Sequence, residues 1–170
     1  MRGVSERGSR AAADRERLVA ALRAVAAGVL EPRPDVQLAY LYGSVARGQS
    51  LPSSDIDIGV VLRERLPAAE CLGLELELEH ALAASSGLDN VDVRVVSQAP
   101  LLVQGAVATE GMLLYARDDA ARVAFETQAR SRYFDFLPTA QAMAATFGNA
   151  LAKRLAARGT AARRHEEWPA

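Results

Sequence analysis

Two aspartates separated by one residue, Asp55-Ile56-Asp57, follow the pair Gly43-Ser44 after ten intervening residues. On a strand, side chains at i and i+2 leave the same face roughly 6–7 Å apart along the chain, so their oxygens can converge on one cation. Two carboxylates held that way repel each other unless positive charge compensates them. Mg²⁺ favours carboxylate oxygens completed by phosphate and water. Two such ions ~3.5–4 Å apart can serve the attacking and leaving oxygens of a phosphoryl displacement. Gly43-Ser44 stands where a strand should give way to a short helix. There a glycine lets backbone approach a phosphate, and free N–H groups with a serine hydroxyl donate to it. Asp92, second in the run Val91-Asp92-Val93-Arg94-Val95-Val96, points away from its valine neighbours and can join the pair if the two strands are adjacent. Arg47 could reach a β- or γ-phosphate, or simply be an exposed helix residue.

Each of these residues also has a plainer explanation. An Asp-x-Asp pair by itself is common at turns and strand starts, and Asp92 could simply pair with Arg94. The upstream Gly-Ser and the strand context favour the metal reading. Other chemistries lack their parts. His80 and His165 have no partners at ligand or relay spacing, and Ser44 lies outside a Gly-x-Ser-x-Gly frame. The sole lysine, Lys153, is far from any glycine-rich turn, which excludes a Walker A loop.

The elements that must position these residues follow from periodicity. Asp14 to Gly28 has apolar residues at helical spacing, Leu18, Val19, Leu22 and Val25 continuing to Val29, with Asp14 placed to cap its start. Glu31-Pro32-Arg33-Pro34-Asp35 breaks that helix. Val36 to Tyr42, uncharged and rich in apolar and aromatic residues, suits a buried strand. A polar turn at Pro52-Ser53-Ser54 leads to Asp55–Leu62, where the carboxylates alternate with Ile56, Ile58, Val60 and Leu62, the period of a strand with one core face. Pro67–Ala84 reads as a helix with Leu72, Leu76 and Leu82 on its apolar side, and Val91–Val96 as a third strand. Then come a helix at Pro100–Glu110 stopped by Gly111, a short strand Met112–Ala116, and a long helix from Asp118 to about Arg158, broken near Pro138. This order predicts an α/β (α+β) fold, a mixed sheet flanked by helices.

At 170 residues with 50% hydrophobic content, the chain suits one domain, expected over 14–158, with a disordered segment at 1–13 and a flexible tail at 159–170. No apolar run reaches the ~18 residues of a membrane span, and 1–17 lacks the apolar stretch of a signal peptide. The single cysteine, Cys71, excludes an internal disulfide and suits a reducing cytoplasm. A net charge of −1 argues against a protein that tracks nucleic-acid backbones.

Gly43-Ser44, ten residues, then Asp55-Ile56-Asp57, with Ala46-Arg47-Gly48 between, resembles the signature of the polymerase-β-like nucleotidyltransferases. The short chain, the third acid Asp92 and the run Glu110-Gly111-Met112-Leu113-Leu114-Tyr115 before a long helix bearing Tyr133-Phe134-Asp135 resemble the minimal nucleotidyltransferase antitoxins of the MntA type, over about residues 15–155. The resemblance implies a nucleotidyltransferase fold with a long C-terminal helix, Mg²⁺, two ions in all, held by Asp55, Asp57 and Asp92, and ATP as donor. It implies Gly43 and Ser44 on the triphosphate and a HEPN-domain ribonuclease toxin as partner, silenced by AMP transferred to a tyrosine hydroxyl. Asp92 would bind one ion and could accept the acceptor's proton. Two alternatives compete: an aminoglycoside-type small-molecule nucleotidyltransferase, for whose pocket little chain remains, and an antitoxin that neutralises its toxin by binding alone. Phe134, Phe136, Leu137, Met143, Phe147 and Leu151, at helical spacing, could form that last interface or belong to the core.

Overall fold

The computed structural model describes residues 3–49 and 54–164, with side chains placed for 12–49 and 54–147. Pro52 and Ser53 of the expected turn, His165, and the side chains of Leu151 and Lys153 lie outside the described residues. The elements are α1 (Gly3–Leu30), β1 (Val36–Leu41), α2 (Gly43–Ala46), β2 (Ile56–Leu62), α3 (Ala68–Ser86), β3 (Val91–Val95), α4 (Leu101–Glu110), β4 (Met112–Ala116) and α5 (Asp119–Arg164), with a 3₁₀ turn at Val96–Gln98. They form the expected mixed sheet flanked by helices. Its strand order is β3-β2-β1-β4. β1 runs antiparallel to β2 and β4, and β2 parallel to β3. The parallel pair needs a crossover, which α3 supplies.

Alternation along β2 divides its side chains between two cores. Ile56, Ile58, Val60 and Leu62 pack with Val19, Leu22, Ala26 and Leu30 of α1 and Leu74, Leu78 and Leu82 of α3. Val61 turns to the other face and packs with Leu38, Tyr40, Val96 and Val107. On that second face the Tyr40 hydroxyl donates to Glu126 Oε1 at 3.0 Å, and its ring lies 6.0 Å from that of Phe125.

Three expectations need correction. α1 starts at Gly3, so Asp14 is inside the helix and pairs with Arg17 at 3.4 Å instead of capping. The buried leucines of α3 are Leu74, Leu78 and Leu82, while Leu72 and Leu76 are exposed. Leucine occupies every second position from 72 to 78, so two helical rows are available, and only packing against β3 and α1 selects one. α5 continues through Pro138 without the expected break. Proline there removes one backbone donor and crowds the carbonyl four residues back, yet helix is present on both sides of it.

Helix side chains meet backbone groups on both sheet edges. β3 presents unpaired N–H groups on its outer side, and α3 meets them with carboxylates: Val95 N donates to Glu75 Oε1 at 2.7 Å and Val93 N to Glu79 Oε1 at 3.2 Å. At the β4 edge, Arg23 Nε donates to Leu113 O at 2.8 Å. Arg117 gathers the end of α1 and the start of β1, donating to the carbonyls of Leu30, Glu31, Arg33 and Val36 at 2.9–3.1 Å.

The chain divides into two units, Met1–Tyr133 and Phe134–Ala170. The first holds the sheet and both cores. In the second, Phe134, Met143 and Phe147 are 57%, 64% and 73% exposed. Thr139, Ala142, Met143, Thr146 and Phe147 line a shallow groove of about 510 Å³ there. Among the described residues, no helix is long and apolar enough to cross a membrane.

Candidate active site

The chain turns sharply where β1 ends. Tyr42 is extended, its N–H donating to Asp57 O at 2.9 Å, and Gly43 follows at φ +72°, a conformation costly for any residue with a Cβ. A Cβ on Gly43 would also overlap Asp57 Oδ2. The glycine is therefore required twice, for its backbone and for the space that the carboxylate occupies. α2 then makes a single turn with no side chain capping its first N–H groups. A helix of four residues contributes little macrodipole, so the donors available to a phosphate are the N–H groups themselves and the Ser44 hydroxyl. Behind the turn, Arg15 Nη1 from α1 donates to Ala46 O at 3.2 Å.

β2 and β3 bring the acids together. Asp57 stands opposite Asp92 in the parallel register, and neighbouring strands lie ~4.8 Å apart. Asp57 and Asp92 share the face that carries Gly59 and Tyr42, away from the core of α1 and α3. Partial burial pushes the Asp57 carboxyl above the usual carboxylate range, and the charges of Asp92 and Asp55 push it further, against smaller opposing effects of Arg47 and Arg94. The Tyr42 hydroxyl is raised by burial and then by Asp57 and Asp92. Asp55 precedes β2 by one residue and is exposed.

The adjacency of β3 that sequence left open is therefore present, and so is the plainer contact. Arg94 Nη2 sits 2.9 Å from Asp92 Oδ1, and Arg94 Nη1 sits 3.6 Å from Glu75 Oε2. Arg47, just past α2, has its guanidinium 3.4 Å from Glu110 Oε2. Tyr42 is the member that sequence reasoning passed over. The sequence offers it only as the residue before Gly43, and nothing local announces that its ring lies against Gly59 and packs on the cluster that includes Val96.

Among the described residues no three His, Cys, Asp or Glu side chains are gathered closely enough to form a metal cage. Mg²⁺ does not require one, because it usually takes one or two carboxylates and completes its shell with phosphate and water. Hard oxygen donors on adjacent strands, with burial and then the neighbouring charges raising Asp57, and Gly43 leaving its carboxylate room to sit there, fit such an ion. The cavity of about 520 Å³ lined by Gln37, Leu62, Ser97, Gln104 and Phe125 belongs to the other end of β1 and β2 and holds none of these acids.

Residues 26–120 match the family described as polymerase beta, nucleotidyltransferase. No curated protein matches the chain. Among solved structures, the chain is similar to one from a toxin–antitoxin crystal structure with AMP-PNP, at 25% identity and TM-score 0.60 over 74% of this chain and 97% of that one. It is similar to one from a mutant form of the toxin–antitoxin MntA–HpeT, at 25% identity and TM-score 0.58 over 71% and 93%. A structure of the tri-AMPylated Shewanella oneidensis HEPN toxin in complex with MNT antitoxin shares the fold, at 23% identity and TM-score 0.51 over 81% and 98%. These neighbours agree with the minimal-nucleotidyltransferase resemblance carried by the sequence.

Proposed function

Because the chain belongs to the polymerase beta nucleotidyltransferase family, we propose that it is the antitoxin of a toxin–antitoxin pair and transfers AMP from ATP to a tyrosine hydroxyl of a HEPN-domain ribonuclease toxin in the cytoplasm. The observation that carries the reading is the placement of Asp57 opposite Asp92 with Gly43 against the Asp57 carboxylate. The likeness to a toxin–antitoxin structure containing AMP-PNP supports the donor and the setting.

In this reading the N–H groups at the start of α2 and the Ser44 hydroxyl hold the triphosphate. Asp55, Asp57 and Asp92 hold Mg²⁺, which when bound neutralises phosphate charge and eases an in-line displacement. A tyrosine hydroxyl has a pKa near ~10 and needs help to lose its proton. Asp92 accepts that proton as the tyrosine Oη bonds to the α-phosphorus. The bond from that phosphorus to the bridging oxygen breaks, and pyrophosphate leaves. Arg47, whose charge already reaches Asp57, meets the negative charge developing on pyrophosphate.

The exposed Phe134, Met143 and Phe147 favour a second reading, an antitoxin that acts by binding alone through this apolar stretch. One experiment separates the two. The purified chain is incubated with Mg²⁺, labelled ATP and the product of the neighbouring gene, whose mass is then read. A gain of AMP units that Asp57→Asn abolishes supports the transferase. Tight complex formation that blocks the neighbour's activity with no mass gain supports binding alone, and neither outcome would point to small-molecule acceptors.

A further inference from the structure

Asp92 cannot serve a cation and Arg94 through the same oxygen. The guanidinium lies 2.9 Å from Oδ1, and an Mg²⁺ ligand oxygen must approach its ion to ~2.1 Å, which would set two positive charges against each other. The structure also provides somewhere else for that charge to go. Arg94 Nη1 is 3.6 Å from Glu75 Oε2, and Glu75 is fixed in place because its other oxygen accepts from Val95 N at 2.7 Å. The arginine side chain is 51% exposed and has room to turn, whereas that of Glu75 is 13% exposed and stays.

We propose that Arg94 is a positioning residue that neutralises Asp92 in the cation-free protein and transfers its guanidinium to Glu75 when a divalent cation takes the Asp92 oxygen. The inference rests on the reading of Asp57 and Asp92 as cation-binding. Its consequence is a site that holds a free cation weakly and fills when negatively charged phosphate arrives with it. Arg94 thereby acts through Asp92 without touching substrate.

The test titrates Mn²⁺ into the full chain without nucleotide and reads free Mn²⁺ by electron paramagnetic resonance, with far-UV circular dichroism to verify folding. Arg94→Gln is expected to tighten Mn²⁺ binding about tenfold. Glu75→Gln, which keeps the acceptor for Val95 N but removes the second seat, is expected to weaken it roughly threefold. In the double variant the Glu75→Gln effect should vanish, because Glu75 acts only through Arg94. The proposal is overturned if Arg94→Gln binds Mn²⁺ no more tightly than the parent chain. It is also overturned if Glu75→Gln weakens binding equally in both backgrounds, since that is the result of simple charge loss. Asp57→Asn is run beside them. Full Mn²⁺ binding by that variant would sink the cation-site reading itself, an outcome distinct from failure of the Arg94 pattern.

Discussion

Two pairs of carboxylates beside β3 and its neighbour differ in kind. Glu75 and Glu79 reach across from α3 and accept backbone N–H groups of Val95 and Val93, which closes a sheet edge. Asp57 and Asp92 stand opposite each other on adjacent strands, and the charge of Asp92 helps lift the Asp57 carboxyl above its ordinary range. The first pair is satisfied by backbone donors of the fold; the second is held where its members repel, with Arg94 offsetting part of the charge of Asp92. Acids that receive backbone donors serve the structure. Among the described residues, Asp57 and Asp92 receive no such donors, Asp92 having the Arg94 guanidinium at 2.9 Å instead, and they are the acids that the proposed function assigns to a ligand.

The largest test of that division is Asp57→Asn. Transfer should fall by on the order of a thousandfold or more, because the variant loses several kcal/mol of charge stabilisation, while circular dichroism remains that of the parent. A folded variant with unchanged turnover would erase the contrast. Gly43→Ala comes next. Positive φ and overlap with the Asp57 carboxylate should lower thermal stability by about 1–3 kcal/mol and cut turnover as well, read by melting and by the AMP-transfer assay.

Glu79→Ala should do the reverse. It strips one edge N–H of its acceptor, costing about 1 kcal/mol in a denaturant titration, and should leave turnover within about twofold. A large catalytic loss there would mean that the edge carboxylates belong to the site.

The smallest effect is a pH dependence, measured in chelator. Because folding raises the Asp57 pKa, the folded state favours the protonated acid. That contribution is fully present below the unfolded value of about 3.8 and is lost as pH rises through the folded value. Asp57→Asn should therefore be more stable than the parent at neutral pH, with the gain disappearing in acid. Melting curves across that range would detect a gain independent of pH, which would contradict charge as the cause.

The sequence by itself determined what depends on neighbours along the chain. The alternation of Ile56, Ile58, Val60 and Leu62 put Asp57 on the face away from α1 and α3, because a strand has period two whatever it pairs with. Gly43-Ser44 announced a turn, and the structure shows why the first must be glycine. Tertiary structure decided everything that needs two segments at once. Asp92 meets Asp57 only because β3 adds parallel to β2 in one register, which no local pattern of Val91–Val95 specifies. Leu74 and Leu78 are buried in preference to Leu72 and Leu76 because α3 must turn one of two equivalent leucine rows toward the sheet. That same rotation places Glu75 and Glu79 on the β3 edge, and with them the second seat for Arg94.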